Sequence, residues 1–215
     1  MSNIAYLIPG TGLDDAERDR RNRVLNQLAS PGTCIELVEV DQGPPSIESE
    51  ADEQAAIPHL VELGRARRAD YDAYIIGCYS DLGIQPLRRA AGIPVVGPVR
   101  ASFSTAAAGF ERFAILTINQ AVIPILDRQV QRLGFAGRVS GIDGVGIGVL
   151  DIVRRPDEAL ERFAAHLARL DAPAVVPGCM SYAYLLAERG LGELGGVRIV
   201  NPLGASVAMA QAMVN

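Results

Sequence analysis

The sequence predicts an α/β protein made of two similar Rossmann-like or flavodoxin-like lobes, each a parallel sheet with helices on both faces, related by a pseudo-twofold. Three observations predict it. Short apolar runs alternate with longer helix-period patterns along the whole chain, the signature of strand-helix-strand units. A stretch in the first half, "YIIGCYSDLG" (residues 74–83), has a counterpart in the second, "VVPGCMSYAY" (175–184): an apolar run ends in Gly-Cys, one residue follows, then Ser. A chain of 215 residues also suffices for two lobes of about a hundred residues each.

The elements follow in order. "NIAYLIP" reads as a buried strand ending at the turn "PGTG", and "LDDAERDRRNRVLNQLAS" as the helix after it. "CIELVEV" is a second strand, "ESEADEQAAIPHLVELGRARRA" a second helix and "YDAYIIG" a third strand. Cys78, a short helix around "IQPLRRAA" and the strand "IPVVGPV" complete the first half. After Ala108 the order begins again with the strand "RFAILTIN", the helix "QAVIPILDRQVQRLGF" and a glycine-loosened strand region, "GRVSGIDGVGIGV". "RPDEALERFAAHLARLD" is a helix opened by Pro156 and acidic residues, as a helix start prefers. "APAVVPG" leads to Cys179, "YAYLLAERG" is a short helix closed by Gly190, "GVRIVNPL" is a strand, and "GASVAMAQAMV" is a final helix.

The repeat extends downstream of the cysteines. "VVGPVRAS" follows the first and "IVNPLGAS" the second at a similar distance, so each half reads strand, Gly-Cys-x-Ser, helix, strand, x-Pro-x-x-Ala-Ser. Common ancestry of the halves is the expectation. The lobes are placed at residues 1–101, completed by the C-terminal helix 204–215, and at 102–203.

Composition removes several classes of function. A formal charge of −5 lacks the basic footprint of a nucleic-acid binder. No apolar run approaches the roughly 18 residues of a membrane span, and the N-terminal residues lack the pattern of a signal peptide. A cytoplasmic location follows as the expectation, with reduced thiols. All 20 basic residues are arginines, so no Schiff base or P-loop lysine can come from this chain. The two histidines, His59 and His166, sit in helical patterns and read as ordinary helical residues, leaving little for a Cys/His zinc site. The glycine run "GIDGVGIGV" has the wrong spacing for a dinucleotide loop, and no helix is expected directly after it. The cluster "DDAERDRRNR" reads as a solvated helix face and Cys34 as a small buried residue of its strand.

Cys78 and Cys179 remain. In a parallel α/β sheet, ligands bind at the carboxyl ends of the strands, where the following helix presents unpaired N–H groups and a positive dipole end. A thiol there is enriched in its thiolate form and can act as a base. Two lobes facing each other would set Cys78 and Cys179 on opposite walls of one cleft, the expected active site. Two acid/base groups on opposite sides suit removal of a proton from one face of a carbon and its return on the other. The enolate formed next to a carbonyl needs fixed donors, which helix amides and the hydroxyls of Ser80 and Ser181 supply. No cofactor and no metal are expected.

These features resemble the cofactor-independent aspartate/glutamate/hydantoin racemase superfamily, whose members use two facing cysteines. "YDAYIIGCYSDLGIQPLRRAAGIPVVG" is similar to the Cys-aromatic-x-Asp-x-Gly stretch of the hydantoin and allantoin racemases, and "FAILTINQAVIPILDRQVQRLGF" and "AVVPGCMSYAYLLAERGL" match that branch in kind. The resemblance implies Cys78 and Cys179 as the catalytic pair. It also implies a substrate pocket lined by Pro9, Gly10, Thr11 and Thr117, together with Tyr79, Ser80, Met180, Ser181 and Tyr182 around the cysteines. Tyr184 reads as packing.

Departures bear on the substrate. Members acting on aspartate or glutamate typically carry Asn-Thr after the first cysteine and Thr after the second, where this chain has Tyr79-Ser80 and Met180-Ser181. That points away from free dicarboxylic amino acids; a 5-substituted hydantoin is the expected substrate, with an amino acid, a different ring or a related carbonyl compound left open. Hydantoin-type members usually show Asn-Pro-Asn-Thr near the start and Cys-Ala-Gly-Met at the second cysteine; here stand Ile8-Pro9-Gly10-Thr11 and Cys179-Met180-Ser181-Tyr182. The alternatives are a malonate-type decarboxylase or maleate-type isomerase working through the same enolate, and a non-catalytic two-lobed ligand-binding protein. The expected partner is a small-molecule substrate, not nucleic acid or membrane, with homo-oligomer formation left open.

Overall fold

Alternate residues of each sheet's leading strand bury against helices on opposite faces, and the order of the strands places the chain ends that matter. The computed structural model describes residues 2–214. Strands β1 (Ser2–Ile8), β2 (Thr33–Glu39), β3 (Ala73–Ile76) and β4 (Val95–Val96) form a parallel sheet in the order β2-β1-β3-β4. Helices α1 (Asp15–Leu28), α2 (Glu50–Ala66) and α3 (Ile84–Ala91) connect them. Ala5 and Leu7 of β1 pack with Ala56 and Leu60 of α2 and Leu87 of α3. The alternating residues Ile4, Tyr6 and Ile8 are equally buried on the other face. Side chains cap the helices where the sequence offers them: Asp14 accepts from the Glu17 amide and Ser49 from the Asp52 amide.

The second set begins with α4 (Pro98–Gly109) and β5 (Phe113–Thr117), followed by a 3-10 turn (Gln120–Val122), α5 (Ile123–Leu133) and β6 (Val139–Gly144). Then come α6 (Val149–Arg154), α7 (Pro156–Leu167), β7 (Ala174–Pro177), α8 (Met180–Glu188), β8 (Glu193–Leu194), β9 (Val197–Ile199) and α9 (Pro202–Val214). The sheet runs β6-β5-β7-β9-β8, repeating the first order with one strand added. Its core joins Leu116 and Val175 to Ile152, Phe163, Tyr182 and Leu186, and Phe103 of α4 lies 5.4 Å from both Phe113 and Phe135. The chain forms two compact units, Met1–Pro98 with Leu203–Asn215, and Val99–Pro202.

Several expectations need correction. A helix does open after the glycine run: α6 starts at Val149, directly after Gly148, with no side-chain cap to announce it. The second sheet is not wholly parallel, because β8 pairs antiparallel with β9 across the Gly195-Gly196 turn, both glycines having positive φ. The strands expected from "IPVVGPV" and "GVRIVNPL" shrink to β4 and β9, since Pro98 and Pro202 open helices. Residues 100–108, to which no predicted element was assigned, belong to α4, as does Val99 from the end of the expected strand.

Cys34 is exposed, not buried: it alternates with Ile35 and Leu37 on the edge strand β2 and shares the outward face with Glu36. The charged face of α1 is not fully solvated either. Glu17 and Arg21 are 7% and 4% exposed and paired at 2.6 Å, with Arg20 on the same carboxylate at 2.7 Å. Burial pushes the Glu17 carboxyl up, but the hydrogen bond from Arg20 and the charge of Arg21 outweigh it and hold the group below the usual carboxylate range.

Candidate active site

In a sheet ordered 2-1-3-4 the connections leave in opposite directions on either side of the first strand, which opens a crevice at the carboxyl ends of the first and third strands. In the first unit that point lies between the ends of β1 and β3, where Pro9-Gly10 and Gly77-Cys78 stand. In the second it lies between β5 and β7, at Thr117 and Gly178-Cys179.

The glycine before each cysteine has a physical cause. The Gly77 amide donates to the Leu7 carbonyl at 2.7 Å, and a Cβ on Gly77 would stand 2.7 Å from that carbonyl oxygen and from Ile8 Cδ1, and 2.8 Å from Tyr6 Cε1. The Gly178 amide donates to the Leu116 carbonyl at 2.6 Å, and a Cβ there would stand 2.9 Å from Thr117 Cβ and 3.0 Å from Ile115 Cγ2. Separations this short are overlaps, so only glycine lets the strand end press against its neighbour and set the cysteine just beyond the sheet.

The two cysteines then part ways. Cys78 is half-buried, and its Sγ lies 3.5 Å from Ser80 Oγ. Before α3 begins, the loop turns through Asp81, the one non-glycine residue with positive φ among the described residues (53°), and through Gly83 (62°). The buried Asp81 carboxyl occupies the space beside Gly97, where a Cβ would meet it at 2.2 Å. Cys179 is the N-cap residue of α8 in extended conformation (φ −157°, ψ 135°), so Met180 and Ser181 form the first helical turn directly. Their backbone amides are among the helix N-terminal donors that lack an intrahelical acceptor, and they favour an anion beside them.

The structure thus gathers Pro9, Gly10, Cys78, Tyr79 and Ser80 at the strand ends of the first unit, and Thr117, Cys179, Met180 and Ser181 at those of the second. Thr11 is exposed, its amide donating to Pro44 and its hydroxyl to the Gly43 carbonyl. Tyr182, expected in the pocket wall, is a core residue instead. It is fully buried, its ring lies 5.0 Å from that of Phe163, and its hydroxyl donates to the Ala159 carbonyl at 3.1 Å. Burial above all, and then the neighbouring Cys179, push its phenol above the ordinary value. The wedged glycines and the Asp81–Gly97 contact are the site features that sequence reasoning missed. The repeated Gly-Cys pair was the signal for the former. Among the described residues no three His, Cys, Asp or Glu side chains cluster as metal ligands, and no helix is long and apolar enough to cross a membrane.

The family model for Asp/Glu/Hydantoin racemase matches residues 19–210. The chain belongs to this family. A hydantoin racemase of Pseudomonas sp. (strain NS671) is 31% identical over 192 residues, spanning 87% of this chain and 76% of that one. One from Paenarthrobacter aurescens is 29% identical over 194 residues, spanning 87% and 81%. Among solved structures, an allantoin racemase from Klebsiella pneumoniae superposes with a TM-score of 0.90 at 26% identity, covering 100% of this chain and 88% of its own. A glutamate racemase from Francisella tularensis shares the fold at a TM-score of 0.67 and 15% identity, covering 98% and 80%. These relatives place the family member in the hydantoin and allantoin racemase branch, and its class is that of an isomerase.

Proposed function

We propose that the protein is a cofactor-independent racemase acting on 5-substituted hydantoins, with Cys78 and Cys179 as its two proton-transfer groups. The observation that carries this is the matched placement of the two thiols: each follows a wedged glycine at the end of the third strand of its sheet, at the topological switch point. The hydantoin and allantoin racemases among its relatives support the reading. One cysteine, as thiolate, takes the proton from the ring carbon next to the carbonyl. The C–H electron pair passes into an enolate, and the other cysteine, as thiol, returns a proton to the opposite face. The two sulfurs leave the reaction with their protonation states exchanged. The first-turn amides of α8 and the Ser80 hydroxyl are the donors we assign to the developing oxyanion.

Deuterium exchange tests this directly. Single enantiomers of 5-isobutylhydantoin are incubated in deuterated water with wild type, Cys78→Ala and Cys179→Ala, and both optical rotation and deuterium at the ring carbon are followed. Both variants are expected to lose racemisation by 10²-fold or more, each keeping exchange of one enantiomer only. Undiminished racemisation in either variant would overturn the two-cysteine reading. Ligand binding with no exchange in wild type would favour a binding protein that retains the fold.

A further inference from the structure

Up to the glycine before each cysteine the two half-sites match in strand register, and they differ there in one contact. Leu7 pairs with Ile76 in the first sheet and Leu116 with Pro177 in the second, so the next residues along, Ile8 and Thr117, stand at equivalent positions against Gly77 and Gly178. Both touch the glycine: Ile8 Cδ1 lies 2.7 Å, and Thr117 Cβ 2.9 Å, from where a Cβ would be. Ile8 has only hydrocarbon to offer. Thr117 is fully buried, and its hydroxyl donates to the Gly178 carbonyl at 2.9 Å, a bond across 61 positions of sequence. A buried hydroxyl requires a partner, and the partner here is the peptide that leads into Cys179.

We propose that Thr117 is a positioning residue for Cys179: by holding the Gly178 carbonyl it sets the aim of the thiol, and it does so for one of the two proton transfers only. Rotation of the Gly178–Cys179 peptide would swing Sγ, and a displacement of about 1 Å can cost on the order of 10²-fold in rate. The preceding Pro177–Gly178 peptide is held as well, by the Gly178 amide on the Leu116 carbonyl at 2.6 Å, so with the hydroxyl on its carbonyl Gly178 is fixed at both ends. Thr117 therefore acts through the loop, and not as the pocket wall the sequence suggested. The inference rests on the two-cysteine reading above.

The test is the exchange experiment with Thr117→Val, which keeps the shape and removes the hydroxyl, Thr117→Ala as a smaller variant also lacking it, and Thr117→Ser, which retains it. The Cys179 side is defined operationally as the enantiomer whose exchange survives in Cys78→Ala and vanishes in Cys179→Ala. Thr117→Val and Thr117→Ala are expected to lower racemisation and Cys179-side exchange together, by about 10-fold or more. Cys78-side exchange should stay within about two-fold of wild type, and Thr117→Ser should restore most of the loss. A merely structural role would lower both exchanges alike with the melting temperature. Equal loss on both sides, no loss on either, or no rescue by serine would overturn the inference while the cysteine variants still behave as expected. If the cysteine variants racemise normally, the two-cysteine reading and this inference fall together.

Discussion

Gly77 and Gly178 show how one missing atom places a reactive one. Each lets a strand end lie against its neighbour at a distance no Cβ tolerates, and the atoms in the way differ between the two. At Gly77 the obstacles include the Leu7 carbonyl oxygen at 2.7 Å, which is fixed in the sheet; at Gly178 the nearest are the Thr117 and Ile115 side chains, with the Leu116 carbonyl farther off at 3.2 Å. Alanine at either position is expected to cost about 1–3 kcal/mol of stability, because the neighbours must shift to admit it. Gly77→Ala should be the more damaging, in denaturant midpoint and in turnover, since backbone yields less than side chains. Equal or negligible effects in urea titrations would show that the overlap relaxes freely. At this scale the repeat made the cysteines readable, because two matched settings in one chain need no knowledge of the fold. The inward turn of Tyr182 was not readable: it depends on how α8 sits over α7. Nor was the exposure of Cys34, which depends on β2 being an edge.

That edge is managed by a helix. The β2 backbone groups that face away from β1 find partners on α1: Asn26 donates to the Ile35 carbonyl at 2.8 Å and accepts from the Ile35 amide at 3.1 Å, and Asn22 accepts from the Leu37 amide at 2.9 Å. Two asparagines thus stand in for a missing strand, which leaves fewer groups open to pairing with another chain. Replacing both by alanine exposes these groups to solvent or to a second β2. The expected result is a lower thermal midpoint, with each lost bond worth about 0.5–1.5 kcal/mol, and concentration-dependent self-association in sedimentation. An unchanged sedimentation profile would mean that the edge is blocked by other means. Long-period elements such as α1, α2 and α7 were readable from their patterns and caps. The two-residue turn "ELGGVRI" also carried a hairpin signal in its Gly-Gly pair, but strands as short as β8 and β9 have too few residues for alternation to show. The six-residue α6 has no side-chain cap and fewer than two turns over which a helical period could show.

At the scale of the molecule, the first set of strands is completed by a helix from the far end of the chain, and the second is continuous. α4 follows β4, yet all of it after Pro98 belongs to the second unit; α9 follows β9, yet from Leu203 it belongs to the first. The first unit is therefore complete only once the last helix of the chain is made. Leu203, Val207 and Ala210 of α9 are buried, and Gln211 accepts from the Ser30 amide at 2.6 Å, tying the end of the chain to the loop after α1. Removing residues 203–215 takes apolar side chains from a core whose nearest covalent neighbours lie a hundred positions away. Fully burying a Leu or Val side chain is worth roughly 1.5–3 kcal/mol, a large share of the stability of a domain this size. The truncated chain is expected to lose amide protection in β1, β2 and β3 while β5 and β7 keep theirs, read by hydrogen exchange and mass spectrometry. That contrast separates two cores of different closure from one shared core, for which truncation would lower protection across both sheets together. It also predicts the functional consequence: Cys78, just beyond β3, loses its fixed place, whereas Cys179, just beyond β7, follows a Gly178 that keeps its bonds to Thr117 and Leu116.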